Sequence, residues 1–430
     1  MKSLSWPLAL LLTLLFLTSC ASDDDYVQVP SQTLLEDRLI ELYGSKAALI
    51  LPTTNDLSLI PSDFNNPITE EKVALGKLLF HETGLATNPN MEGGMNTYSC
   101  ASCHHADAGF QSGIIQGIGE GGTGFGLHGE GRIKDALYQD ADLDVQPIRS
   151  PSVLNVAYQD VMLWNGQFGG VGTNEGTEAG WTVGTPKETN TLGFEGVETQ
   201  AIAGIDVHRL VIDYDFIFNS EYKVLFDAAF PGTEPEECYT KINAALAIAA
   251  YERTLLPNQA PFQRWLNGDE AAMDADQIEG ARLFFDEAKC FTCHSGPGLN
   301  GMDFHALGMK DLEGENVFNA IDDATKRGRG GFTGNPEDDY KFKTPQLYNL
   351  KDVGFFGHGG SFQTVRDVVV YKNNAVKENT NVPEVALSSE FTPLNLTEDQ
   401  IDLITLFLKA ALYDNKQNAD AQSSADMGCN

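Results

Sequence analysis

Two cysteines and a histidine recur at one spacing in two places: Cys100-Ala101-Ser102-Cys103-His104 and Cys290-Phe291-Thr292-Cys293-His294. Cys-x-x-Cys-His is the attachment signal for c-type haem. Its thiols form thioethers to the porphyrin vinyl groups, and the adjacent imidazole reaches the iron. A zinc site made from such residues needs four protein ligands, usually two Cys pairs or Cys pairs with His at finger spacing. Here the pairs lie far apart and each has its own histidine. The expectation is therefore two covalent haem c groups, one on Cys100, Cys103 and His104 and one on Cys290, Cys293 and His294. Two irons fixed this way point to redox chemistry.

The N-terminus bears on where that chemistry happens. Met1-Lys2 gives a basic start, and Leu8 to Leu17 is an apolar run of signal-peptide length, short for a spanning helix. Leu17-Thr18-Ser19-Cys20 resembles a bacterial lipobox, which implies cleavage before Cys20 and lipidation there. An ordinary signal peptide with an incidental cysteine is the competing reading. Ser22-Asp23-Asp24-Asp25 resembles surface-export signals of some lipoproteins and reads equally well as a solvated tether. The expected location is the cell envelope, periplasmic or outer-membrane, with membrane contact through the lipid anchor only.

The balance of 28 Lys and Arg against 61 Asp and Glu gives a net charge of −33. Such a field disfavours nucleic acid and anionic membrane as partners. It suits a basic electron-transfer protein, or serves solubility alone. Of seven cysteines, Cys238 and Cys429 lie outside the lipobox and the haem motifs. Outside the cytoplasm they could pair, but sequence does not show them to be close.

Elements must position these groups. Glu71 to Phe80 precedes the first haem motif, and Asp276 to Phe285 precedes the second. Both contain Gly-x-x-Leu-Phe, at Gly76 to Phe80 and Gly280 to Phe284. Each reads as an amphipathic helix opening a unit, with a capping box at Asp274 and Gln277 for the second. Thr87 to Asn96 reads as an added loop. Lys241 to Leu256 reads as an alanine-rich helix, and Thr397 with Gln400 caps a last helix running to about Leu412. Gly117 to Gly131 is dense in glycine and reads as a flexible loop, with Val171 to Thr191 as another. No strand-rich region stands out. The fold class is mainly α, with two tandem cytochrome c-like domains, each with one covalent haem. The expected organisation is a signal peptide at 1–20, a tether at 21–60, a first domain at 61–235, a second at 236–415 and a tail at 416–430.

From about Ile68 to Leu412 the chain resembles the bacterial di-haem cytochrome c peroxidases and their MauG relatives. The resemblance rests on Leu75 to Phe80, the two haem motifs, Arg149 to Asn155, Leu163-Trp164-Asn165-Gly166 and Gln200-Ala201. It rests further on Ala250 to Leu255, Pro261-Phe262, Phe342 to Pro345 and Phe356 to Ser361. It implies a peroxidatic first haem, a second haem that accepts electrons from a donor, and Trp164 between them. A core aromatic is the plainer reading of Trp164. Implied partners are hydrogen peroxide and a small donor, a cytochrome c or copper protein; a homodimer is also compatible. A MauG-like oxidase of a protein or organic substrate, and a di-haem electron carrier without catalysis, are the alternatives. Family members often hold calcium between the domains, but Arg149 stands where its asparagine ligand would be.

The active site departs from the family pattern. Gln200 matches the family's glutamine, but the tenth residue after it is Leu210, where the family has a glutamate. His208 and Arg209 lie just before, and His208 is the expected acid/base group; a surface role or a haem propionate contact competes. Glu195 and Glu198 are further acid candidates. His128, on the glycine-rich loop, is the candidate histidine that blocks the peroxidatic iron at rest, against a plain exposed-loop reading. At the second haem, the family's methionine position falls on Lys372. The neighbouring Tyr371 is the expected distal ligand, as in MauG-type relatives, with Met302 and Met309 as alternatives.

Overall fold

The computed structural model describes residues 30–415. Cys20 and Cys429 lie outside them. Regular structure is mainly helical; strands occur as two-residue pieces, Gly122–Thr123 (β1) with Ile133–Lys134 (β2) and Phe304–His305 (β3) with Phe342–Lys343 (β4). Among the described residues no helix is long and apolar enough to cross a membrane.

Two hydrophobic cores organise the chain, and each is a pair of crossed helices around a haem motif. The first core crosses α2 (Glu70–His81) with α4 (Lys241–Arg253), with α3 (Gly196–Val207) packed on α4. The second crosses α5 (Ala275–Phe285) with α7 (Glu398–Leu406), which continues as a π-helical turn over Phe407–Ala411. The repeated glycine explains both crossings. A Cβ on Gly76 would lie 1.9 Å from the Ala247 carbonyl oxygen, and one on Gly280 would lie 2.1 Å from that of Leu403. Only a residue without a side chain lets these backbones approach so closely.

Helix starts follow the sequence signals. Thr69 accepts from the Lys72 amide, and capping boxes form at Asp274 with Gln277 and at Thr397 with Gln400. Such a cap contributes about 1 kcal/mol. The α6 helix (Val365–Asn374) opens on another, Thr364 with Asp367.

Three expectations shift. The boundary at 235/236 separates α4 from its partners: Ala244, Ala247 and Ile248 sit in the first core, so that core extends through Leu255. Conversely, α1 (Ser31–Tyr43) packs on α5, and Leu35, Leu39, Leu49 and Ile60 belong to the second core rather than to a tether. The stretch expected as a flexible loop from Gly117 is also buried as far as Gly122. Its glycines admit close contacts: a Cβ on Gly119 would meet the Asp144 carboxylate within 2.4 Å.

Candidate functional site

Each haem-motif histidine is held in the form a metal needs. His104 Nδ1 lies 3.2 Å from the Phe110 carbonyl, and His294 Nδ1 lies 3.0 Å and 3.1 Å from the Leu299 and Pro345 carbonyls. Donation from Nδ1 to a carbonyl leaves Nε2 as the free lone pair for iron. Burial pulls both imidazoles down to about 4, so each is neutral near pH 7. Phe110 and Leu299, which offer these carbonyls, both have left-handed backbones, at φ 54° and 47°. Such strain costs on the order of 1–3 kcal/mol per residue, and the same strain occurs at the same station of both halves.

The halves repeat beyond the haem motifs. Pro151 to Asn155 and Pro345 to Asn349 share Pro-x-x-x-Asn. Pro345 touches His294, and the Pro151 backbone likewise hydrogen-bonds His104. The asparagine amides cap the ends of the closing helices, Asn155 to the Leu255 carbonyl (3.0 Å) and Asn349 to that of Leu412 (3.1 Å). Met162–Phe168 and Phe356–Phe362 then form matching bridges. Trp164 and His358 stand at equivalent places in these two hairpins.

Those two rings meet. Their centroids are 6.4 Å apart at a 68° angle. The contact is tied by reciprocal backbone bonds: Arg149 N donates to His358 O at 3.1 Å, and Lys343 N donates to Trp164 O at 2.7 Å. Trp164 Nε1 donates to the Arg149 carbonyl at 2.7 Å. Two residues after Arg149, Pro151 contacts His104. Trp164 also lines the cavity that holds Cys290, Cys293 and His294. The indole is therefore buried at the wall of the second motif's cavity and tied through Arg149 to the segment whose Pro151 reaches His104. Arg149 sends its guanidinium to Gln111 and to the Gly357 carbonyl, a fixed cation where the resemblance has a calcium ligand.

Around the first motif, His208 is neither exposed nor idle. It ends α3, and its Nδ1 lies 2.8 Å from Asp144 Oδ2. Burial lowers its pKa, but the charge and hydrogen bond of Asp144 outweigh this and the net shift is upward. The His208 charge also acts on His104, adding to the burial that lowers the His104 pKa. Gln200 lies on the same helix face: a Cβ on Gly204 would fall 3.6 Å from Gln200 Nε2 and 4.0 Å from His208 Cδ2. Arg209 turns away to Glu120, which is fully buried and also takes the amides of Asn90 and Met91. Leu210 is buried in the core.

Other expected residues stand elsewhere. Glu195 and Glu198 both pair with buried Arg253, at 2.8 Å and 2.7 Å, and so hold α3 to α4. His128 is exposed, with its ring on the Asp107 carbonyl at 2.7 Å and its amide on Glu130 at 2.6 Å. Cys238 is buried and points its thiol at the Phe226 carbonyl.

At the second motif a cavity of about 380 Å³ is lined by Cys290, Cys293 and His294, with Val365, Val369 and Leu408 among its apolar walls. His305 also lines it, and its buried Nε2 has no hydrogen-bond partner among the described residues. An apolar slot with two thiols, a neutral imidazole and an orphaned polar nitrogen fits a haem. Tyr371 does not join it. Its hydroxyl donates to the Leu307 carbonyl at 2.6 Å, its ring packs between Phe362 and Phe391, and burial raises its pKa well above the usual phenol range. The reason is helical rotation: one residue turns a side chain by about 100°, so Lys372, not Tyr371, shares the cavity face of α6.

Sequence reasoning missed Asp144, one of several acids between Asp140 and Asp144 with nothing local to distinguish it. It also missed the prolines behind the two histidines, although the repeated Pro-x-x-x-Asn was a legible signal.

Two cytochrome c-like halves, each with a Cys-x-x-Cys-His whose histidine is held by backbone carbonyls, meet at an aromatic contact, an arrangement that fits a di-haem c-type oxidoreductase. The profile of the di-haem cytochrome c peroxidase family matches residues 70–271. The methylamine utilization protein MauG of Methylorubrum extorquens is 28% identical over 355 residues, 81% of this chain and 80% of that protein. The cytochrome c551 peroxidase of Pseudomonas aeruginosa is 25% identical over 336 residues, 78% and 80% of the two chains. Among solved structures, a MauG-like protein associated with microbial copper homeostasis shares the fold at 22% identity and TM-score 0.58, over 86% of this chain and 97% of the other. A diheme peroxidase from Burkholderia thailandensis does so at 18% identity and TM-score 0.53, over 82% and 88%. Over residues 70–271 the chain matches the di-haem cytochrome c peroxidase family, and over about four fifths of its length it is similar to MauG and to cytochrome c peroxidases, which are oxidoreductases.

Proposed function

We propose that this protein reduces hydrogen peroxide to water at its first haem site. Electrons enter at the second site from a small cytochrome c or copper protein in the cell envelope, where Cys20 anchors the chain. The observation that carries this reading is the His208–Asp144 pair, whose imidazole charge reaches His104. Bound haem supplies the redox-active iron. His208 takes a proton from one peroxide oxygen and delivers it to the other as the O–O bond breaks. Asp144 orients the imidazole and stabilises its cation. Gln200, on the same helix face, hydrogen-bonds the departing oxygen. Two electrons and two protons balance each peroxide converted to two waters. Trp164 lies between the motifs and shortens the electron's path.

The acidic chain, with net charge −33, favours a basic donor. The reading is tested by supplying the two-haem protein with a reduced basic cytochrome c and peroxide. Oxidation of two donors per peroxide supports it; no donor oxidation removes it. The MauG-like alternative draws on one specific observation, the absence of methionine at position 372. In that case peroxide would be consumed only with an oxidisable protein or organic substrate present.

A further inference from the structure

We infer that Lys372 supplies the axial ligand opposite His294 at the second haem site, through its ε-amine. The inference rests on the reading that the second Cys-x-x-Cys-His carries a haem, and it goes beyond that reading by naming the group on the other face.

Placement carries the argument. Lys372 lies on α6, a helix fixed at its start by the Thr364–Asp367 capping box. Val365, Val368, Val369 and Lys372 recur at positions i, i+3, i+4 and i+7, which form one helix face. All four line the cavity that contains Cys290, Cys293 and His294. The lysine is close enough for its charge to act on both thiols and on the His294 imidazole. Among the described residues its amine makes no hydrogen bond and no ion pair. It stands over the Phe391 ring, 5.2 Å from the centroid, and the Glu390 carboxylate at the cavity wall acts on it through charge alone. An ammonium held inside an apolar slot without a partner is costly. A neutral amine that donates its lone pair to iron removes that cost, and its four-carbon stem gives it reach.

Two other side chains in the cavity compete less well. Met309 has its sulfur against Gly357, 3.2 Å from where a Cβ there would stand, next to His358 at the Trp164 contact. His305 lies on β3, with Nδ1 3.8 Å from Glu390. Its free Nε2 suits a haem carboxylate as readily as iron.

The test uses the two-haem protein and reads spectra and potentials rather than turnover. Haem content is measured first by mass. Lys372→Ala should convert one of the two ferric haems from low-spin to high-spin or water-ligated, with both haems retained. Lys372→Met should create a methionine–iron charge-transfer band and raise the potential of that haem alone, since a thioether favours ferrous iron over ferric. Tyr371→Phe should change neither. Two haems with an unchanged ligand-field spectrum in Lys372→Ala would overturn the inference, and a shift of potential without change of spin state would do so in favour of a propionate contact. Loss of the low-spin signal in His305→Ala or Met309→Ala, and not in Lys372→Ala, would assign the ligand to that residue. A parent protein with a single haem would instead remove the underlying reading.

Discussion

His208 Nδ1 lies 2.8 Å from Asp144 Oδ2, although the two residues are separated by 64 positions in sequence. The pairing turns a histidine at the end of a helix into an oriented base. In the proposed mechanism it also supplies what Leu210 cannot, a group able to move a proton.

General acid–base assistance is worth about 10²- to 10⁴-fold. His208→Ala should therefore slow the reaction of the two-haem protein with peroxide by about that factor. Haem content should be unchanged. The Asp144 anion favours the imidazolium, so the parent's rate should rise with pH through a point above the usual histidine value of about 6.5. Asp144→Asn should move that limb to lower pH. A stopped-flow pH series would show it, and identical limbs in parent and variant would separate Asp144 from the chemistry.

His128 is held outward by Glu130 and Asp107. His128→Gly should leave the oxidised absorption spectrum and the peroxide rate unchanged. A variant whose oxidised form gains a high-spin band and reacts faster would restore the gate that the sequence suggested.

Gly76 and Gly280 set the two helix crossings. An added methyl group would meet backbone carbonyls that cannot rotate away, so Gly76→Ala and Gly280→Ala should each cost at least the ~1–3 kcal/mol of ordinary overpacking. Thermal unfolding of each variant measures this. A melting temperature equal to the parent's would mean the helices can separate at no cost.

Glu252 is buried, its Oε2 has no hydrogen-bond partner among the described residues, and burial followed by the nearby Glu198 charge pushes its pKa up to about 8. The folded chain thus keeps a proton that the unfolded chain releases above about 4.3. This contribution to stability is full at low pH and is lost as pH rises through about 8. Glu252→Gln should flatten the fall of melting temperature across that window. Parallel curves would show that Glu252 ionises normally.

Much of this was legible in the sequence because it is local. Both haem motifs, the capping boxes at Asp274 and Thr397, and the Gly-x-x-Leu-Phe repeat each sit within a few residues. The expected boundary at 235/236 falls before α4 because α4 returns to α2, a pairing set by tertiary packing around Gly76. Tyr371 was misplaced by one residue, and on a helix one residue changes the face. His208 was found, but its partner was not, since an ion pair across 64 positions leaves no periodic trace. His128 looked mobile by its glycines, yet Glu130, two residues on, pins its amide.

The central claim is that peroxide reacts at the first haem site and draws electrons from the second through the contact at Trp164. The most direct measurement is rapid mixing of the reduced two-haem protein with peroxide while both haem spectra are followed. In the parent, oxidation of the second haem should keep pace with the change at the first. In Trp164→Phe, the first-site change should persist while oxidation of the second haem lags clearly behind. Simultaneous oxidation of both haems in the variant, or no response to peroxide at the first site in the parent, would contradict the account.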